Sequence, residues 1–302
     1  MSWIDSPLAD LHRHLDGSLR LQTVRELASE LGLAVPEELL FYQGMGLREA
    51  LSRFAFTLSL LKTPESVARV AAEICEDAAR TNVSTLELRF APQLHDIDHM
   101  EAIIDAALEG IQQRAGLILC GLYGEPPALL ERLVELGAKR KGVVGLDLAG
   151  GPLPSHTYKM SDYQTAFMAA KRAGMGRTVH AGEGRPPQEI KEAIEVLHAQ
   201  RIGHGTTLLS SPAVLALVVD REVVIEACPT SNVHTSVIQA VSEHPLAFWL
   251  GAGVKACICT DNTLFSNVDS PTEHQRVSAI TEMTDEKMAR AISFGHNAAF
   301  HR

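Results

Sequence analysis

Three absences narrow the possibilities for this sequence. No apolar run approaches the roughly 18 residues that a membrane helix requires. Basic charge is not in excess: 27 Lys and Arg stand against 37 Asp and Glu, for a formal net charge of −10. Nucleic acid and anionic membranes bind basic patches, so neither is an expected partner. The five cysteines lie inside apolar segments and show no C-x-x-C spacing. That pattern points to reduced, buried thiols in a cytoplasmic protein rather than a disulfide frame. Cys257 and Cys259, two apart on an expected strand, are assigned to the core. The opening MSWIDSPLAD lacks a basic region and a long apolar stretch, so no secretory leader is expected. With no linker and no low-complexity segment, residues 1–302 are expected to form a single domain.

What the chain does contain is a repeated alternation. Short apolar segments stand at 8–14, 84–90, 116–122, 143–149, 176–181, 200–204, 222–228 and 254–260. Amphipathic stretches at 66–80, 100–115 and 186–200 carry apolar residues at i, i+3 and i+4, the helical spacing. Eight strands alternating with helices predict an α/β fold, a (β/α)8 TIM barrel, for which 302 residues suffice. The longer segment 19–83 predicts extra helices inserted between strands one and two, with Phe54, Phe56 and Leu58 placed to wall an apolar pocket. An open doubly wound sheet would give the same alternation. The polar residues decide against it: His14, Gly150, His180, His204 and Asp261 fall at or just past strand ends, and only a closed barrel gathers all those ends at one mouth.

His12 and His14 end the first apolar segment. Side chains at i and i+2 on a strand share a face, so this pair can hold one ion. An isolated H-x-H is weak evidence, but His180, His204 and Asp261 each end another segment. Three imidazoles and a carboxylate suit a borderline-soft cation such as Zn²⁺, with one position left for water. His204 is either a further nitrogen ligand or an acid/base beside the metal. Glu183, in the loop after the fifth segment, offers a carboxyl group for proton transfer.

The motifs DLHRHLDGS, ELRFAP, LDLAG, VHAGEG, RIGHGT, CPTSNVHT and TDNT occur in an order that resembles the adenosine deaminase family of metal-dependent amidohydrolase barrels. The resemblance covers most of the chain. It implies one Zn²⁺ held by His12, His14, His180 and Asp261. It also implies that His204 orients and helps deprotonate the attacking water, that Glu183 protonates purine N1, and that the Gly150 backbone contacts N3. The expected reaction is hydrolytic deamination of a purine nucleoside: water adds to C6, and ammonia leaves. Many family members carry a second aspartate where this chain has Asn262. An amide can donate to purine N7 at any pH, so activity should survive the change. Asp16 in HLDGS matches the aspartate that, in relatives acting on free nucleosides, accepts from the ribose 5′-hydroxyl.

Rival expectations are a sibling deaminase acting on adenine, a thioadenosine derivative or aminodeoxyfutalosine, and an inactive nucleoside-binding homologue. Arg89 is expected to be a structural ion-pair partner. Ser231 and Asn232 are expected to hold the loop after strand seven, and His234 to stay clear of the mouth. His95, His99, His156, His198, His244, His274, His296 and His301 are assigned to surface or packing.

Overall fold

All eight apolar segments become strands in the computed structural model, which describes residues 3–301. They are β1 (Leu8–His14), β2 (Val83–Phe90), β3 (Gly116–Leu122), β4 (Val143–Ala149), β5 (Gly176–Ala181), β6 (Arg201–His204), β7 (Val224–Ala227) and β8 (Lys255–Ile258). They pair in parallel in the order β1 to β8. Parallel pairing requires a crossover between neighbours, and the amphipathic stretches supply it as helices outside the sheet. The barrel closes where β1 meets the chain just beyond β8. His14 N donates to Asp261 O, and Asp261 N donates to His12 O, both at 2.8 Å. These two hydrogen bonds bring the first H-x-H residues beside Asp261, 247 positions away from His14 along the chain (261 − 14).

The last three strands are shorter than their apolar segments, and two helices stop early. Met100–Ile111 ends where Gln112 and Gln113 turn to positive φ, and Gln188–Glu195 ends before His198, also at positive φ. Sequence periodicity continues past such points because apolar residues still pack there, although the helical hydrogen bonds have ended.

Three helices separate β1 from β2: α1 (Leu21–Glu30), α2 (Leu47–Leu60) and α3 (Pro64–Arg80). α3 begins with a capping box, in which Thr63 accepts from Ser66 N, and with Pro64 in its first turn. α2 differs from an ordinary barrel helix. Leu47, Ala50, Leu51, Phe54 and Leu58 follow the i, i+3, i+4, i+7, i+11 spacing and line a cavity above the strand ends. Phe54 and Leu58 therefore wall the pocket as expected. Phe56 does not: it packs against the core on the other side of α2, because two positions along a helix turn the side chain through about 200°. Among the described residues, no helix is long and apolar enough to cross a membrane.

Candidate metal centre at the barrel mouth

The cavity has a volume of about 690 Å³, and its floor is formed by strand ends. His14, Asp16, Gly150, His180, Glu183, His204, Asp261 and Asn262 all line it. His12 lies directly beneath, fully buried, with its ring centroid 4.6 Å from His180, 5.0 Å from His204 and 5.2 Å from His14. The structure thus brings His12 together with the other candidate ligand, acid/base and substrate-contact residues named from the sequence.

The backbone at these positions is unusual. His204 has φ +68° and Asp261 φ +61°, values that non-glycine residues seldom adopt. Such conformations cost about 1–3 kcal/mol each and persist where the surroundings fix them. At Asp261 the closing hydrogen bonds to β1 do so.

The donor atoms converge. His14 Nε2 lies 3.3 Å from His180 Nε2, and Asp261 Oδ1 lies 3.5 Å from His14 Nε2 and 3.7 Å from His12 Nε2. Ligands about 2.0–2.2 Å from a tetrahedral zinc stand about 3.4 Å from one another, so this spacing fits such an ion. His12 Nε2 is buried with no hydrogen-bond partner, which is costly for a polar atom unless something else takes its lone pair.

The opposite ring nitrogens fix which lone pairs face inward. His12 Nδ1 donates to Glu226 Oε2 at 2.7 Å, and His180 Nδ1 donates to Asp147 Oδ1 at 3.2 Å. Each carboxylate holds the proton on Nδ1 and leaves Nε2 unprotonated. Burial, followed by the Arg89 charge, pushes His12 well below the ordinary imidazole range, and burial and His180 do the same to His14. Both are therefore neutral, the form that binds metal. Burial alone would raise the Asp147 carboxyl, yet His180 and Arg89 hold it below the usual carboxylate range.

His204 is held in another way. Asn232 Nδ2 lies 3.1 Å from His204 Nδ1 and 3.5 Å from Glu183 Oε1. A carboxylate can only accept, so the amide NH₂ faces that side and donates to both. His204 Nδ1 is then an acceptor and its proton sits on Nε2. This tautomer differs from that of His12 and His180. Glu183 is 5% exposed and also accepts from Thr235 Oγ1 at 3.0 Å. Burial raises its carboxyl, but His204, Arg185 and His180 outweigh that and bring it below the ordinary value. Among the described residues, no hydrogen bond engages its Oε2.

Two further side chains complete the cavity. Asp16 is buried, its Oδ1 has no partner, and burial, with Asp261 adding to it, pushes its carboxyl up to about 7. Asn262 lies against Gly17, where an added Cβ would stand 1.9 Å from Asn262 Oδ1, so only glycine fits there.

Sequence reasoning missed several contributors. Asp147 and Glu226 stand inside apolar strands, where a charge is itself a signal of an inward-facing role, but nothing local names the partner of either. Arg89 joins them, 3.0 Å from Asp147 Oδ2 and 2.8 Å from Glu226 Oε2, as the structural ion-pair partner expected of it. Ser231 and Asn232 do more than hold a loop: Ser231 Oγ donates to Asp261 Oδ2 at 2.6 Å, which leaves Oδ1 facing the histidines. His156, expected to be peripheral, lines the cavity. His234 stays out of it and packs against Phe41.

A parallel barrel that gathers buried histidines and a carboxylate at its mouth, beside a second carboxylate, belongs to the amidohydrolase class. The family model described as adenosine deaminase matches residues 7–302. An adenosine deaminase of Vibrio vulnificus (strain YJ016) is 34% identical over 99% of this chain and 96% of its own length. One from Klebsiella pneumoniae subsp. pneumoniae is 35% identical over 98% of this chain and 95% of its own. The chain belongs to the adenosine deaminase family. Among solved structures, arabidopsis ADAL complexed with IMP superposes with a TM-score of 0.88 at 25% identity, covering 100% of this chain and 94% of that one. The adenine deaminase of Arthrobacter aurescens gives 0.87 at 24% identity, covering 98% and 94%, a likeness that speaks for the fold alone.

Proposed function

We propose that this protein is a zinc-dependent adenosine deaminase, converting adenosine and 2′-deoxyadenosine to inosine and 2′-deoxyinosine with release of ammonia. The observation that carries this reading is that His14 Nε2 lies 3.3 Å from His180 Nε2 and 3.5 Å from Asp261 Oδ1, in the cavity that Glu183 also lines. In this reading His12, His14, His180 and Asp261 would hold one Zn²⁺, which would make hydroxide available at neutral pH by lowering the pKa of water to about 7.

The chain's own residues do the rest. Glu183, ionised in the free protein, takes the proton that the attacking water gives up and delivers it from Oε2 to purine N1, which makes C6 electrophilic. His204, with its proton on Nε2, donates to the oxygen of the attacking water, which orients it and stabilises the charge it gains as its proton leaves. The C6 amino group then takes the remaining hydroxyl proton and leaves as ammonia, and the ring becomes a 6-oxopurine. Gly150, at φ +77° with open space where a Cβ would stand, lets the backbone approach N3. Asn262 donates its amide N–H to N7. We read residues 1–302 as one domain acting in the cytoplasm on a small molecule.

Asp16 selects the nucleoside. Its unpartnered oxygen accepts from the ribose 5′-hydroxyl. A 5′-phosphate in that place would be repelled by about 1 kcal/mol even with full water screening at 4 Å. A spectrophotometric screen of 6-aminopurines tests the reading. Adenosine and 2′-deoxyadenosine should lose absorbance and AMP should not; turnover of adenine without adenosine would overturn the assignment.

Two variants refine it. Asp16→Asn should lower kcat/KM for adenosine by about tenfold, the worth of one hydrogen bond. It should also stabilise the protein at pH 8. The folded carboxyl sits near 7 rather than the ordinary 3.8, so the charged form is disfavoured and native stability falls as pH rises through that window. Thermal melts at pH 5 and pH 8 check the sign, with the gain larger at the higher pH. Asn262→Asp should stay within about tenfold of the parent near neutral pH, because an acid must be protonated to donate where an amide always does. A much more active Asn262→Asp protein would count against the amide as the N7 donor.

A further inference from the structure

Charged side chains run through the barrel from its base to the metal-site histidines. At the base, the Phe300 ring stacks on the Arg201 guanidinium, 3.6 Å from Cζ to the ring centroid. Phe300 N donates to Glu87 Oε1 at 2.5 Å, and Arg201 pairs with Glu87 and donates from Nη1 to Ala298 O at 2.9 Å. Arg201 Nε lies 2.8 Å from Glu226 Oε1, a charge contact with no hydrogen bond on the N–H axis. Glu226 in turn holds His12 Nδ1, with Thr178 Oγ1 and Arg89 Nη2 as its other donors. Glu87, Arg89, Asp147, Arg201 and Glu226 are at most 2% exposed.

The sequence makes room for this arrangement. Gly145 and Gly176 face each other across β4 and β5, and an added Cβ would lie 2.8 Å or 2.1 Å from the Phe300 ring. Two paired glycines thus form the slot that seats the ring on Arg201. The metal ligands are at the opposite end of the barrel, so the slot serves no contact with substrate.

We propose that Arg201, clamped by Phe300 and Glu87, is a positioning residue for the metal centre, acting through Glu226 to set the orientation and tautomer of His12. The inference rests on His12 being a zinc ligand. A buried carboxylate with loose partners can rotate, and His12 Nε2 then loses its aim. Outer partners of metal ligands change affinity by about 10–100-fold when altered. Arg201 is one contact further out, so the lower end applies.

The test is zinc affinity, measured by competition with a colorimetric chelator, on Arg201→Lys and Phe300→Ala. Arg201→Lys keeps the charge and loses the planar fork. It should weaken zinc binding about tenfold, and Phe300→Ala should weaken it by less. Phe300→Tyr, which restores a ring on the guanidinium, should return the parent affinity. If Arg201 only supports the fold, both variants will melt at lower temperature when metal-free yet bind zinc as the parent does, which would overturn the proposal. Circular dichroism confirms folding. Should Arg201→Lys not fold, the partly exposed Phe300 decides the matter through its alanine and tyrosine variants. Failure of the parent protein itself to bind zinc would instead remove the metal reading on which the inference stands.

Discussion

Glu183→Gln is expected to lower kcat for adenosine by about 10²–10⁴-fold, the range for a positioned general acid, while zinc content and KM stay close to the parent values. Glutamine has the same shape and can accept from Thr235 Oγ1 as the carboxylate does at 3.0 Å. Its NH₂ can still donate to purine N1, so ground-state binding survives. It cannot release a proton and recover it, so the step that makes C6 electrophilic is lost. A loss that falls on kcat and kcat/KM alike marks an interaction made in the transition state. Steady-state kinetics with metal analysis on the same preparation check the result. A kcat within threefold of the parent would remove Glu183 from the chemistry.

The second large effect concerns the metal. Stripping the protein with a chelator should abolish deamination, by about 10⁴-fold or more, since water without a metal ionises with a pKa of about 15.7 rather than near 7. Adding back Zn²⁺ should restore activity. Zinc present at about 1,000 times its Kd should also raise stability by about 4 kcal/mol, because it binds the native state alone. His180→Ala should reproduce the loss without recovery on adding zinc. It should further cost about 1–3 kcal/mol of metal-free stability, because Asp147 loses the donor on its Oδ1 while fully buried. Retained deamination in a metal-free His180→Ala preparation would refute the proposed chemistry.

These two predictions rest on residues that the chain displays differently. His12, His14, His180, His204 and Asp261 were legible because they stand at or near the ends of apolar segments, where a polar residue has no packing reason to be, and Glu183 was legible through the VHAGEG motif that it shares with His180. The structure gathers each of them at one mouth. The face of α2 was partly legible: helical spacing identified Phe54 and Leu58, but treating neighbouring apolar residues alike drew in Phe56, which turns to the core.

Glu226, Asp147 and Arg201 were not legible in these roles. Each is a charge inside a strand, and its value depends on which charge lies across the barrel. Glu87 and Arg201 are 114 positions apart, and Arg89 and Glu226 are 137 apart. Nothing local marks such pairs, since their energy arises from burial together. The same holds for His204. Its position at a strand end was clear, but its tautomer depends on Asn232, a residue assigned to a loop.

The sequence alone determined the strand and helix alternation, the closed barrel and the set of candidate ligands, because those follow from periodicity and from polar residues at strand ends. Tertiary structure decided which nitrogen each histidine turns inward, which carboxylates hold it there, and how the barrel base is sealed. Those outcomes come from side chains far apart in sequence competing for the same buried protons and charges, a competition that begins only once the barrel has closed.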